Sequence, residues 1–156
     1  MVHQLAGSSA NIHAVTLHEL CLHLEESAPS AGVARPQPVD LVALNEMTGG
    51  DAAFAADIAR SYLDNSRELY AQIRACLACE DRRELARMVH QLAGASANIH
   101  AVALRELCLH VESSAPVAAI AELEHCVTRI GAELARVGGA LRQDADRVSV
   151  AAQPAS

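Results

Sequence analysis

Residues 1–29, MVHQLAGSSANIHAVTLHELCLHLEESAP, recur at residues 88–116 as MVHQLAGASANIHAVALRELCLHVESSAP. The offset is constant at 87, and 24 of 29 positions are identical. The differences are Ser8/Ala95, Thr16/Ala103, His18/Arg105, Leu24/Val111 and Glu26/Ser113. Two copies this alike do not make a solenoid, which needs about three or more stacked units to bury a core. A duplicated segment of one domain fits better. Met1 aligns with Met88, in the middle of an expected helix, so the first copy lacks the partners that would cover its apolar face. It is expected to dock on the rest of the chain, to exchange with the same segment of a second chain as a swapped dimer, or to stay loosely ordered.

The remaining chain divides cleanly. Two prolines, a glycine and small residues mark 30–38 as a linker. From Val39 a complete domain follows. A short helix is expected over 39–47, stopped by Thr48-Gly49-Gly50. Asp51 is a good N-cap for a second helix running to about residue 79, with Phe54, Ile58, Tyr62, Leu69, Ile73 and Leu77 available for one face. A third helix spans about 82–98. A fourth, over about 102–114, shows Leu104, Leu107, Cys108 and Val111 at i, i+3, i+4, i+7. Pro116 ends it. The fifth, over about 117–141, aligns Ile120, Leu123, Val127, Ile130, Leu134 and Val137, and residues 143–156 read as a flexible tail. The fold class is therefore all-α: an antiparallel four-helix bundle over 39–142 with a short leading helix.

Composition agrees. The chain is 51% hydrophobic but has only Phe54, Tyr62 and Tyr70 as Phe/Trp/Tyr rings. Its apolar content is mostly Ala and Leu, which favour helices. A formal net charge of -7 argues against general binding to nucleic acid or to anionic membranes. No stretch reaches the roughly 18 continuous apolar residues of a membrane span, and the N-terminus lacks the order of a signal peptide. Cys21, Cys76, Cys79, Cys108 and Cys126 are odd in number, and Cys21 and Cys108 fall inside apolar helical stretches. They read as reduced core thiols of a cytoplasmic protein.

One histidine stands apart from the apolar pattern. At about 100° per residue, Leu85, Met88, Val89, Leu92, Ser96 and Ile99 form a core stripe, and His90 points away from it. Within about 60° of His90 lie Arg83, Ala86, Arg87, Ala93, Gly94 and Ala97. An ordinary solvated face would carry Glu, Lys and Gln. Here the ring stands among side chains of one carbon or none, with arginines on one edge. Gly94 in mid-helix costs about 1 kcal/mol relative to Ala, so access or packing should offset it. A histidine among apolar residues is more often a satisfied core residue, and these small side chains could instead face a neighbouring helix. The wheel favours the accessible reading. An imidazole is nucleophilic near neutral pH, and its attack on a phosphoryl group gives a phosphoramidate that remains a good donor.

With these residues in view, the stretch resembles the histidine-containing phosphotransfer (HPt) domains of bacterial multistep phosphorelays. Their motif has the form H-x-L-K-G-[SA]-[SA], followed by a turn and a helix of L-x-x-L-C-x-x-L-E character. Here it stands as His90-Gln-Leu-Ala-Gly-Ala-Ser96, then Leu104-Arg-Glu-Leu-Cys108-Leu-His-Val-Glu112. The resemblance covers roughly 39–141 and also takes in Leu44-Asn-Glu-Met-Thr-Gly-Gly-Asp51 and Phe54. It implies that His90 accepts a phosphoryl group from a receiver-domain aspartate and passes it to another response regulator. Arg83, Ala86, Arg87, Gln91, Ala93, Gly94 and Ala97 would be supporting or docking residues. Partners would be receiver domains and a hybrid sensor histidine kinase. The module would have no ATP site and no cofactor of its own, the divalent metal belonging to the receiver. His3 matches the motif as a vestigial second acceptor. Two positions depart from the pattern: Ala93 stands where the family usually has lysine, for which Arg87 could substitute electrostatically. His100 replaces the usual glycine after the third helix, where Asn98 and His100 tolerate left-handed geometry better than most residues.

Two alternatives stay open. A degenerate bundle could serve docking or regulation without transferring phosphate. A metal-binding bundle could use His100, Cys108, His110, His125 and Cys126, with His13, His18, Cys21 and His23 of the first copy. Its spacing is poor: Cys76-Leu-Ala-Cys79 has no second pair, and His18 and His23 lie on different helix faces. No metal site is expected.

Overall fold

The computed structural model describes residues 36–151, and the chain from Gln37 forms one compact unit. The first copy of the repeat, including His3, most of the linker, and residues 152–156 lie outside the described residues. All described elements are helical: α1 (Leu41–Met47), α2 (Ala52–Ala78), α3 (Arg82–Asn98), α4 (Val102–Ser114) and α5 (Ile120–Ala151). Each of α2 to α5 packs on the next, and α5 packs back on α2. Short connections make neighbours antiparallel, so the four close into a ring with α1 against α2.

Local chemistry sets the boundaries. Asp40, Asp51 and Asp81 cap α1, α2 and α3, each accepting backbone N–H bonds at 3.0–3.1 Å. Three helices end in the same way, with a residue in the left-handed region just past the cap. After α1 it is Gly49 (φ 64), after α2 Glu80 (φ 54) and after α3 His100 (φ 57). In each case the next N–H returns to a carbonyl five residues earlier: Gly50 to Asn45, Asp81 to Cys76 and Ala101 to Ser96, all at 2.9 Å. His100 thus takes the left-handed geometry expected at this departure from glycine, and its carbonyl accepts from the N–H of Asp40 at 3.2 Å. That bond ties the start of α1 to the α3–α4 turn.

The core is aliphatic. Ile73, Leu85, Met88, Leu92, Ile99, Leu104, Leu123 and Ile130 are at most 2% exposed. Burying each such side chain contributes roughly 1.5–3 kcal/mol. Polar links are few and local to contacts between helices. The Tyr62 hydroxyl meets Ser96 Oγ at 3.3 Å, and Ser96 Oγ donates to the Leu92 carbonyl at 2.7 Å. Burial pushes the Tyr62 phenol up to about 12. Arg82, the first residue of α3, donates to the carbonyls of Ala115 and Ala118 at 2.7 and 2.8 Å, satisfying acceptors in the α4–α5 connection. On the α2–α5 contact, a Cβ at Gly131 would collide with the Tyr70 ring, whose hydroxyl donates to the Val127 carbonyl at 3.3 Å.

The structure corrects three sequence-based expectations. Residues 143–151 are helical, not a tail. No glycine or proline interrupts that stretch, and Leu141, Asp144, Ala145 and Val148 line a cleft with Leu41 and Leu44 of α1 and Ala52, Ala55 and Ala59 of α2. Phe54 is 53% exposed rather than in the core. The α2 seam is the narrow one through Ala59, Tyr62, Ser66, Leu69 and Ile73, and Phe54 lies about 80° from Tyr62. The cysteines also divide. Cys108 and Cys126 are buried, but Cys76 is half-buried and Cys79 exposed, because they lie at the end of α2 beyond its core stripe.

His110 on α4 places a buried Nε2 without a hydrogen-bond partner. Burial holds its pKa below the ordinary histidine range, and Arg129 adds to the effect. The folded state therefore binds this proton less well than the unfolded chain. Stability from this group is present above the unfolded value of about 6.5 and falls as pH drops below it. His110→Leu should lose a smaller part of its melting temperature than the parent between about pH 7.5 and 5.5, as thermal denaturation followed by circular dichroism would show.

Candidate functional site

Helix α3 presents the two faces that its sequence requires. Leu85, Met88, Val89, Leu92, Ser96 and Ile99 are buried, and His90 projects from the other side with its side chain 69% exposed. Their combined burial far outweighs the roughly 1 kcal/mol that Gly94 costs the helix.

Among the sequence-predicted residues, Arg83, Arg87, Gln91, Gly94 and Ala97 are exposed with His90, and Ala86 is half-buried. Ala93 is not on this platform. It is only 3% exposed, because the packed arc continues past Val89 and Ser96 to include it. The guanidinium of Arg87 is also engaged. Its Nε donates to Glu84 Oε2 at 2.8 Å, and a second nitrogen contacts Oε1. That pairing, first by hydrogen bond and then by charge, lowers the Glu84 pKa and raises that of Arg87. The positive edge beside His90 is therefore partly neutralised within α3 itself.

The residue missed by sequence reasoning is Glu112. From α4 its carboxylate reaches His90, with Nδ1 3.0 Å from Oε1 and 3.1 Å from Oε2. A carboxylate can only accept, so Nδ1 carries the proton. In the neutral form of the ring this tautomer keeps the lone pair on Nε2, which is not the nitrogen engaged by Glu112. The helical wheel held a signal for this role. Glu112 falls about 40° from Cys108, on the flank of the α4 core stripe rather than opposite it. Glu112 is close enough to add to the effect of burial in raising the Cys108 thiol to about 12.

Gly94 is one turn after His90, and a Cβ there would meet nothing within 4 Å. Internal packing does not require this glycine, and the surface beside His90 stays low there. On α4, Leu109 lies one turn before Glu112 and is 37% exposed. The face around the imidazole thus combines an exposed ring, small side chains and modest apolar surface. Among the described residues, no group of three or more His, Cys, Asp or Glu side chains is placed to hold a metal ion. No described helix is long and apolar enough to cross a membrane.

A family model described as the Hpt domain matches residues 57–149. No curated protein matches the chain. Three solved structures share the fold. Histidine-containing phosphotransfer protein B from Pseudomonas aeruginosa PAO1 is 23% identical, with a TM-score of 0.66 over 73% of this chain and 98% of that one. The HPT domain of a sensor hybrid histidine kinase from Shewanella is 20% identical, with a TM-score of 0.61 over 71% and 96%. A rice protein described as a putative histidine-containing phosphotransfer protein is 17% identical, with a TM-score of 0.57 over 88% and 99%.

The open space at Gly94 gives a stability test. Gly94→Ala should stabilise the bundle by about 0.5–1 kcal/mol, measured by urea denaturation. A loss of stability would mean that the glycine serves packing after all.

Proposed function

Since this chain belongs to the Hpt domain family, we propose that it is a phosphorelay intermediate in which His90 takes a phosphoryl group from a receiver-domain aspartate and returns it to another response regulator. The observation that carries this reading is the His90–Glu112 hydrogen bond at the exposed face of α3. It fixes the ring and its tautomer, leaving Nε2 as the attacking atom. Nε2 would attack phosphorus in line as the aspartyl oxygen leaves, forming the P–N bond while the P–O bond breaks. Glu112 stabilises the positive charge that develops on the ring. The reverse step returns the phosphoryl group to a carboxylate.

The surrounding residues support docking. Gly94 and Ala97 let another backbone approach, and Arg83 and Gln91 offer polar contacts at the margin. Receiver domains and a hybrid sensor histidine kinase are the proposed partners. The divalent metal that such transfer uses would sit on the receiver, and ATP would be used by the kinase alone. A docking-only module is the second reading. It draws support from the buried Ala93 at the usual lysine position and from the closure of Arg87 on Glu84. His3 would act only as a vestigial acceptor.

Phosphate transfer separates these readings. Mixed with a labelled phospho-receiver, the protein should acquire acid-labile, alkali-stable label that is absent from His90→Gln, with the helical circular dichroism unchanged. Label persisting in that variant would move the acceptor elsewhere, and no label on the parent would favour the docking-only reading. Glu112→Ala should slow transfer roughly 10- to 100-fold, the range found when a group that orients a metal-bound histidine is removed. Glu112→Gln should slow it less, because the amide oxygen can still accept from Nδ1.

A further inference from the structure

The last turn of α2 carries Cys76-Leu-Ala-Cys79, which the phosphotransfer reading does not use. Both are free thiols near the surface, unlike the buried Cys108 and Cys126. Three residues apart on a helix, their Cα atoms stand about 5 Å from each other, within the roughly 4.4–6.8 Å that a disulfide spans. Cβ atoms at this spacing are about 5–6 Å apart, whereas a disulfide needs roughly 3.5–4.5 Å. Closure must therefore move one side chain inward.

Cys79 is placed to make that move. It is the C-cap of α2, with φ -91 and ψ 1, and the chain leaves it through Glu80 in the left-handed region. A helix end frays more readily than a helix interior. The two thiols also differ in reactivity. Burial and then the nearby charges of Glu84 and Asp81 hold Cys76 above the usual thiol range, with Cys79 itself adding to the effect. The exposed Cys79 is thus the entry point and Cys76 the resolving thiol. The acidic side chains also disfavour an anionic reagent at this corner.

We propose that Cys76 and Cys79 form a reversible disulfide by exchange with a neutral low-molecular-weight disulfide. Cys79 loses its proton and attacks one sulfur of the reagent, forming a mixed disulfide and expelling one small thiolate. Cys76 then loses its proton and attacks the Cys79 sulfur, expelling the second. The two protons end on the two released thiols. The reagent is reduced by two electrons and the cysteine pair oxidised by two. Because the helix must deform, the cross-link is strained and reopens readily.

The full chain would be incubated with bis(2-hydroxyethyl) disulfide, blocked with iodoacetamide and digested with trypsin. Cleavage after Arg74 and Arg82 releases residues 75–82, which hold both cysteines and no other. The expected peptide is unalkylated, lighter than the dithiol form by two hydrogens, and reverts to the doubly alkylated form after excess 2-mercaptoethanol. Cys76→Ser should stop at one mercaptoethanol adduct on Cys79. The proposal is overturned if the parent peptide stays doubly alkylated, retains the adduct, or is linked to another cysteine. It is overturned equally if excess 2-mercaptoethanol fails to reopen the closed form.

Discussion

Helix α3 has to satisfy two demands along seventeen residues: it must contribute a continuous apolar stripe to the bundle core while leaving its opposite face nearly bare. The buried side supplies the energy. Leu85, Met88, Val89, Leu92 and Ile99 are all at most 2% exposed, so the helix is held firmly even with a glycine in its interior. Ser96 adds direction to that packing by bonding Tyr62 of α2, a polar contact that fixes how the two helices sit. Because α3 is anchored from behind, His90 can project into solvent without the helix having to bury it.

The candidate site then depends on the register between α3 and α4. Glu112 reaches His90 only if the α3–α4 turn holds the helices at one axial offset. That turn uses a left-handed His100, closed by the Ala101-to-Ser96 hydrogen bond and buttressed by Asp40 of the leading segment. Buried Ala93, a single methyl, belongs to the packed side of α3. The residue that departs from the family's lysine is thus part of the packing that brings the helices close.

Most of the helical framework was legible in the sequence because its signals are local. The Asp51 cap, Pro116 and the 3.6-residue periodicity locate α2, α3 and α4 within a residue or two. His90 was legible as well, since the wheel of one helix separates its stripe from its bare face. What escaped depends on a second element. The sequence pattern puts Ala93 outside because the width of the buried arc is set by a neighbour, and Phe54 inside for the converse reason. The extension of α5 to Ala151 lines a cleft with α1 and α2, and no local breaker marks where the helix should stop. Glu112 lay in plain view in its motif, but its role exists only across two helices. The surface position of Cys76 and Cys79 follows from where α2 outruns its core stripe.

The notch at Gly131, into which the Tyr70 ring fits, bears on how the bundle assembles. Contacts of α2 with α3, α3 with α4 and α4 with α5 join neighbours in sequence, so each can form as a helical hairpin with a short loop to close. Among the four long helices, the seating of α5 on α2 is the one contact between helices that are not neighbours in sequence. The Tyr70 hydroxyl bonds the Val127 carbonyl, 57 residues away, at this seam. Ring closure is therefore the step with the largest entropic demand, and it is met where a missing side chain lets two long helices come together. A substituent at Gly131 would push the Tyr70 ring out of this notch and so loosen the seam that closes the ring of helices.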